Sequence, residues 1–332
     1  MANDHYVPQF YLKNFEIKNS PYQIPPRHIY SYKKGFLPTH KAIKSVACED
    51  NYYTINADIY EQYSKGNNHI LSTFENHTPS ILKRVIDKLE INLSKKDKWT
   101  LSYFVATLAV RNPLVHKFLE KQILDESIMY LKLMACEKSS FLEIMKEFEP
   151  YRSEKEVEET RQILLEADKH LVFSIPDNPH NKSFIRSLLT VAHYVILARR
   201  LFFYHWHLLI IESQKCFITS DNPVVFLFPR LKDEFSLGKS PVFLPIAPKI
   251  AFLIHPWRFA QNQLLIEDDL VEFYVKQSLL FAKDLVFSHI KSEEIQKLFD
   301  ETKQNINQLN YQYNFLSEQK LKFLLKKGII KI

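Results

Sequence analysis

The hydrophobic period of this chain changes twice, and those changes limit the folds open to it. From about Asn68, apolar residues recur every three or four positions (Ile70, Leu71, Phe74, Ile81, Leu82, Val85, Ile86, Leu89), the stripe of an amphipathic helix. At His205 the period becomes two: His205, His207, Leu209 and Ile211 alternate with Trp206, Leu208 and Ile210, as on a strand. Strand-like segments at 29–35 and 51–55 precede the helical region, with Lys-rich, irregular chain between them. A helical insertion at about 66–203 is thus enclosed by β-containing ends, and the β-rich part covers about 204–290. The expected fold class is α+β. A helical middle region packs against a mostly antiparallel sheet built from N- and C-terminal segments, in a single domain over 1–332. No Gly-, Ser- or Pro-rich linker and no internal repeat divides it.

Local signals refine this outline. Pro79 predicts a kink or a fresh helix start, with Thr78 as cap. Ser94 caps a helix that runs through Trp99, Tyr103, Phe104, Leu108 and Val110; being apolar nearly all round, it is expected to be deeply buried. Arg111-Asn112-Pro113 must break that helix, and a new one starts there. Helices follow at 140–148 and 153–171, then a buried one at 183–203. Beyond the strand at His205, the chain predicts strands at 216–219, 224–228, 242–245, 250–255 and 286–288, and helices at 268–283 and 292–308.

With 46% apolar and 14% aromatic residues the chain can bury a large core. It has four glycines and neither GxGxxG nor GxxxxGK[ST], which excludes a classical phosphate-cradling loop. Cys48, Cys136 and Cys216 form neither a disulfide framework nor a CxxC site, as in a reducing compartment. The start, MANDHYVPQ, lacks the basic and apolar regions of a signal peptide. The most apolar stretch, 184–204, carries Arg186, His193, Arg199 and Arg200, which suits a core helix rather than a membrane span. A soluble cytoplasmic protein with no membrane partner is expected. Its net charge of +6 is compatible with a nucleic-acid partner, RNA ahead of DNA.

Several strings occur in a characteristic order: HYVPQFYLKNF from His5, FENHTPSILKRV from Phe74, AVRNP from Ala109, a Trp-bearing strand around Trp206, FITSDNPV from Phe217, FLPIAP from Phe243 and SLLFAKDLVFS from Ser278. In this order they resemble domain-of-unknown-function family 4238, a mostly bacterial family. The resemblance implies no established reaction, and it implies an association of some members with defence against phage.

The sharpest catalytic string is Arg111-Asn112-Pro113-Leu114-Val115-His116. It resembles the Arg-x4-His pattern of the HEPN ribonucleases. The resemblance implies a homodimeric site in which His116 is a general acid or base and Arg111 holds the phosphate, without metal. The competing reading is that Arg111 ends a buried helix and pairs with a carboxylate, while His116 packs or faces solvent.

His5, Glu75, Arg111, Asp221 and Asn222 form a second constellation, and His5, Glu75 and Asp221 could hold a divalent metal for phosphodiester cleavage. Against it, Asp221 and Asn222 are preferred turn residues that hydrogen-bond nearby backbone, and His5 caps the first helix or bonds the sheet. His205 and His207 share a strand face at a spacing compatible with a chelate, without an evident third ligand. Arg199 and Arg200 suit phosphate contact, or simply a helix C-terminus. Tyr52-Tyr53 and Tyr311-Tyr313 are read as core rather than as base-stacking platforms. The expectation is an antiphage protein acting on nucleic acid, as a metal-independent ribonuclease using Arg111 and His116. Its alternatives are a non-enzymatic sensor of a phage component and a metal-dependent nuclease using His5, Glu75 and Asp221.

Overall fold

In a computed structural model, the described residues are 3–18, 23–50, 75–111, 135–148, 153–166, 195–227, 240–256 and 261–304. The chain divides into two compact units, one formed by 1–112 with 187–332 and the other by 113–186.

The alternation at β5 (His205–Ile210) organises the larger unit. It pairs antiparallel with β9 (Ile250–His255), in register from His205 opposite His255 to Ile210 opposite Ile250. β9 continues antiparallel to β8 (Val242–Ala247) and β8 to β7 (Val225–Phe226), while β10 (Gln263–Leu265) joins the other edge of β5 in parallel. A bulge falls between Pro245 and Ala247. Both faces of this five-stranded sheet are covered. Trp206, Leu208, Leu244, Phe252 and Ile254 enter one apolar cluster, and Leu209, Ile211, Phe243, Ala251 and Leu253 enter another. Period-two alternation therefore divides one sheet's side chains between two cores.

The first core receives the N-terminal helical turn α1 (Gln9–Leu12), its 3-10 continuation to Phe15, helical residues 75–88 (α2) and α3 (Lys95–Val110). Pro8 is the N-cap of α1. Ser94 Oγ accepts from the Asp97 amide while the Asp97 carboxylate accepts from the Ser94 amide, so the predicted cap is a reciprocal box. α2 runs through Pro79 unbroken, with Thr78 buried inside it rather than capping a new start.

The second core lies under a four-stranded antiparallel sheet ordered β3 (Thr39–Ala42), β2 (His28–Lys33), β11 (Leu285–Ser288), β6 (Thr219–Ser220). Here the N- and C-terminal segments meet, as predicted: Ser288 pairs with Tyr30 and Leu285 with Lys33. The Lys-rich segment read as irregular contains β3 and β4 (Cys48–Asp50), and β4 pairs with β1 (Asn3–His5). The tight turn after β2 uses Gly35 at φ 74°, whose amide donates to Asp300 Oδ1 at 2.9 Å. α7 (Asp268–Phe281) and α8 (Glu293–Gln304) complete this core with Tyr274 and Phe299. α6 is the helical stretch 195–203.

In the smaller unit α4 (Lys138–Phe148) and α5 (Glu154–Glu166) bury Phe141 and Val157. Arg161 Nε donates to the Ala135 carbonyl at 2.7 Å. The fold class is α+β. Among the described residues no helix is long and apolar enough to cross a membrane.

Candidate functional site

Tyr11, Thr219 and Pro245 bring together three of the strings singled out in the sequence. The Tyr11 hydroxyl donates to the Pro245 carbonyl at 2.5 Å and lies 2.8 Å from Thr219 Oγ1. Its single proton goes to the carbonyl, so the Thr219 hydroxyl is the donor in the second bond. The ring is fully buried, and burial pushes its phenol well above the ordinary range. Pro245 supplies its carbonyl from β8 beside the bulge, where the ladder is irregular.

Two residues after Thr219, Asp221 is 2% exposed. Its Oδ1 accepts from the Lys283 amide at 2.7 Å, and Oδ2 accepts from those of Asp284 and Leu285 at 2.7 and 2.9 Å. Burial pushes this carboxyl up, and the three amides pull it back toward ionisation. Asn222 Nδ2 donates to the Phe281 carbonyl at 2.9 Å, satisfying an acceptor at the α7 C-terminus. Asp221 and Asn222 therefore stitch the end of α7 to the start of β11. The sequence reading had them bonding nearby backbone; their partners instead lie about sixty residues along the chain. The Tyr6 hydroxyl is also pushed far up, by burial first and then by the charges of Asp221, Cys48, Glu49 and Asp284.

Arg111 caps the C-terminus of α3, and its amide closes the last turn on Thr107. Its side chain, 9% exposed, donates from Nη1 to Glu75 Oε1 on α2. A guanidinium cannot shed its charge on burial, so a carboxylate partner is what makes this position tolerable. Two members of the predicted constellation are thus joined to each other. His116 lies outside the described residues, as do 51–55, Tyr52-Tyr53, Tyr311-Tyr313 and the helix expected after Asn112.

His5, in β1 opposite Cys48, donates from Nε2 to the Lys44 carbonyl at 3.2 Å, so it bonds the chain beside its sheet. Among the described residues no group of three or more His, Cys, Asp or Glu side chains is disposed to hold a metal. His5, Glu75 and Asp221 are accordingly not gathered as ligands. His205 and His207 do share a face, and His255 opposite His205 extends it. The His207 ring is buried and its Nδ1 donates to the Gln261 carbonyl at 2.9 Å.

Arg199 and Arg200 have a different setting. Both are exposed on α6, one turn from Phe202 and Phe203, and Phe203 is 69% exposed. Phe202 meets Trp99 of α3 edge to face at 5.0 Å, and Lys98 Nζ stands 5.6 Å from the Phe202 ring centre. Trp99, 37% exposed, also meets Tyr103 edge to face at 5.0 Å. Aromatic rings of two helices thus meet beside half-buried Lys98, with exposed Arg199 and Arg200 one turn before Phe202 and Phe203 and exposed Lys95 one turn behind Trp99. Sequence reading missed it by taking both helices as buried throughout. α6 buries Leu197, Ala198 and Leu201 and exposes Val195, Ile196 and Phe203, while α3 is buried from Thr100 onward except at half-buried Tyr103, and exposed or half-buried before it. The spacing Ile196, Arg199/Arg200, Phe203 carried the signal, since it marks one helix face.

Residues 3–312 match the family model described as Protein of unknown function (DUF4238). The chain belongs to that family. Neither a curated protein nor a solved structure matches it. The family's span takes in the Tyr11, Arg111 and Asp221 contacts and the whole of the Trp99–Phe203 face.

Proposed function

We propose that this DUF4238 protein engages nucleic acid, RNA ahead of DNA, through the face formed by Lys98, Trp99, Arg199, Arg200, Phe202 and Phe203. One observation carries the reading: exposed aromatic rings on two packed helices stand among cations. Such an arrangement offers stacking surfaces to bases and charge to phosphates. The one acid within this stretch of α3, Asp97, is already committed to Arg84 at 2.7 Å and to the Ser94 cap. The net charge of +6 supports the same sign of partner.

In this reading the protein is a recognition module working in the cytoplasm, and the phage-defence role follows from the family resemblance. Cleavage by an Arg111–His116 pair is a separate step, for which Arg111 would have to leave Glu75. That burial favours recognition over catalysis as the primary activity.

The test is fluorescence anisotropy with labelled RNA and DNA across a salt series. Binding that weakens with salt is expected, with a slope in log K against log salt that falls by about 1–2 when Arg199→Ala and Arg200→Ala are combined. Absence of binding to either polymer at low salt, or an unchanged slope in the double variant, overturns the reading.

A further inference from the structure

The geometry points to single-stranded nucleic acid with unstacked bases as the ligand of this face, with Phe203 and Trp99 as the stacking platforms; this rests on the nucleic-acid reading above. A duplex buries its base faces in its own stack and offers phosphate, sugar and groove edges. Cations alone would serve such a ligand. Here a phenyl ring, that of Phe203, is 69% exposed, and it has nothing to stack on in a duplex backbone.

The rings are also held in place before any ligand arrives. Phe203 meets Phe202 at 5.4 Å and 81°, Phe202 meets Trp99 at 5.0 Å and 82°, and Trp99 meets Tyr103 at 5.0 Å and 65°. Each contact is edge to face, so successive rings turn through 65–82° and present separate π-faces. Rings fixed in this way lose little freedom when a base docks. Phe203 and Trp99 both rest on Phe202, close enough for neighbouring nucleotides of one strand to reach them. Lys98 over the Phe202 ring and Arg199 with Arg200, one helical turn before Phe202 and Phe203, supply charge for the phosphates between those bases.

The experiment compares 20-nucleotide oligouridylate and oligoadenylate with the duplex annealed from them, at matched salt, using the full chain. Anisotropy and tryptophan emission are read together, on the parent protein, Phe203→Leu and Trp99→Phe, each checked for folding by its thermal melt. Single strands are expected to bind at least tenfold tighter than duplex. Phe203→Leu, which keeps an apolar side chain and removes the ring, is expected to weaken single-strand binding about fivefold to 100-fold and duplex binding by less than about twofold. Single strands should quench tryptophan emission, and Trp99→Phe should abolish that change. Equal affinity for duplex and single strand, or no effect of Phe203→Leu, overturns this inference and leaves nucleic-acid binding standing. No binding of any of the polymers overturns both, and assigns the face to a partner of another class.

Discussion

The Tyr11 hydroxyl bonds Thr219 and the Pro245 carbonyl across more than two hundred residues of chain. One side chain thus ties the N-terminal turn to two strands that belong to different sheets, β6 and β8. Tyr11→Phe keeps the ring but strands two buried polar groups. It should lower stability by about 1–3 kcal/mol, read as a lower urea midpoint at unchanged slope. Adding Thr219→Val should cost less than the sum of the single changes, because the second removes a group the first left unsatisfied.

Asp221 is a structural anchor rather than a free carboxylate. Asp221→Asn keeps the shape but turns an NH2 group toward one or two of the three amides now donating to it. A loss of at least about 2 kcal/mol is expected, seen as earlier thermal unfolding. A variant with undiminished stability that lost only its activity would instead mark Asp221 as catalytic.

Glu75→Gln removes the charge facing the Arg111 guanidinium and should destabilise by about 1–3 kcal/mol, below the figure for a fully buried pair because Glu75 keeps a third of its side chain in solvent. Replacing both residues, with Arg111→Met added, should recover part of that loss in a double-mutant cycle. If Glu75→Gln unfolds at the parent temperature, the pair is not what holds Arg111.

His207 and His289 titrate below the ordinary imidazole range. Burial is the main cause for each, with the charge of His205 adding for the first and that of Lys249 for the second. The folded state then binds fewer protons than the unfolded state once pH drops below the free-imidazole value of about 6.5. Stability is therefore complete above that pH and is lost as pH falls through the depressed folded values. Urea midpoints measured from pH 7.5 down to 5.5 should show the fall. His207→Asn, whose Nδ2 can still donate to the Gln261 carbonyl, should make it shallower.

Much of the framework was legible because its causes are local. Ser94 with Asp97 three residues on is a cap that forms from neighbouring atoms, and α3 begins there. The alternation from His205 to Ile211 distributes side chains to two faces in any strand, and both predicted faces are present, each filling its own core. The reading of Arg111 as a helix end paired with a carboxylate also needed only burial and charge, although Glu75 could not be singled out from other acids. Short strands such as β1, β4 and β10 carry too few residues for a period, and exist only because a distant partner offers a ladder: Cys48 for His5, Leu209 for Leu264. What tertiary structure alone decided was where polar side chains spend their hydrogen bonds and which apolar ones stay wet. Asp221 looked like an ordinary turn residue until the amides of 283–285 closed on it. Phe203 looked like core until α6 packed through Leu197 and Leu201, leaving that ring outside. Composition and spacing specify which groups a chain carries, and the packing of distant segments specifies which of them remain free to meet a ligand.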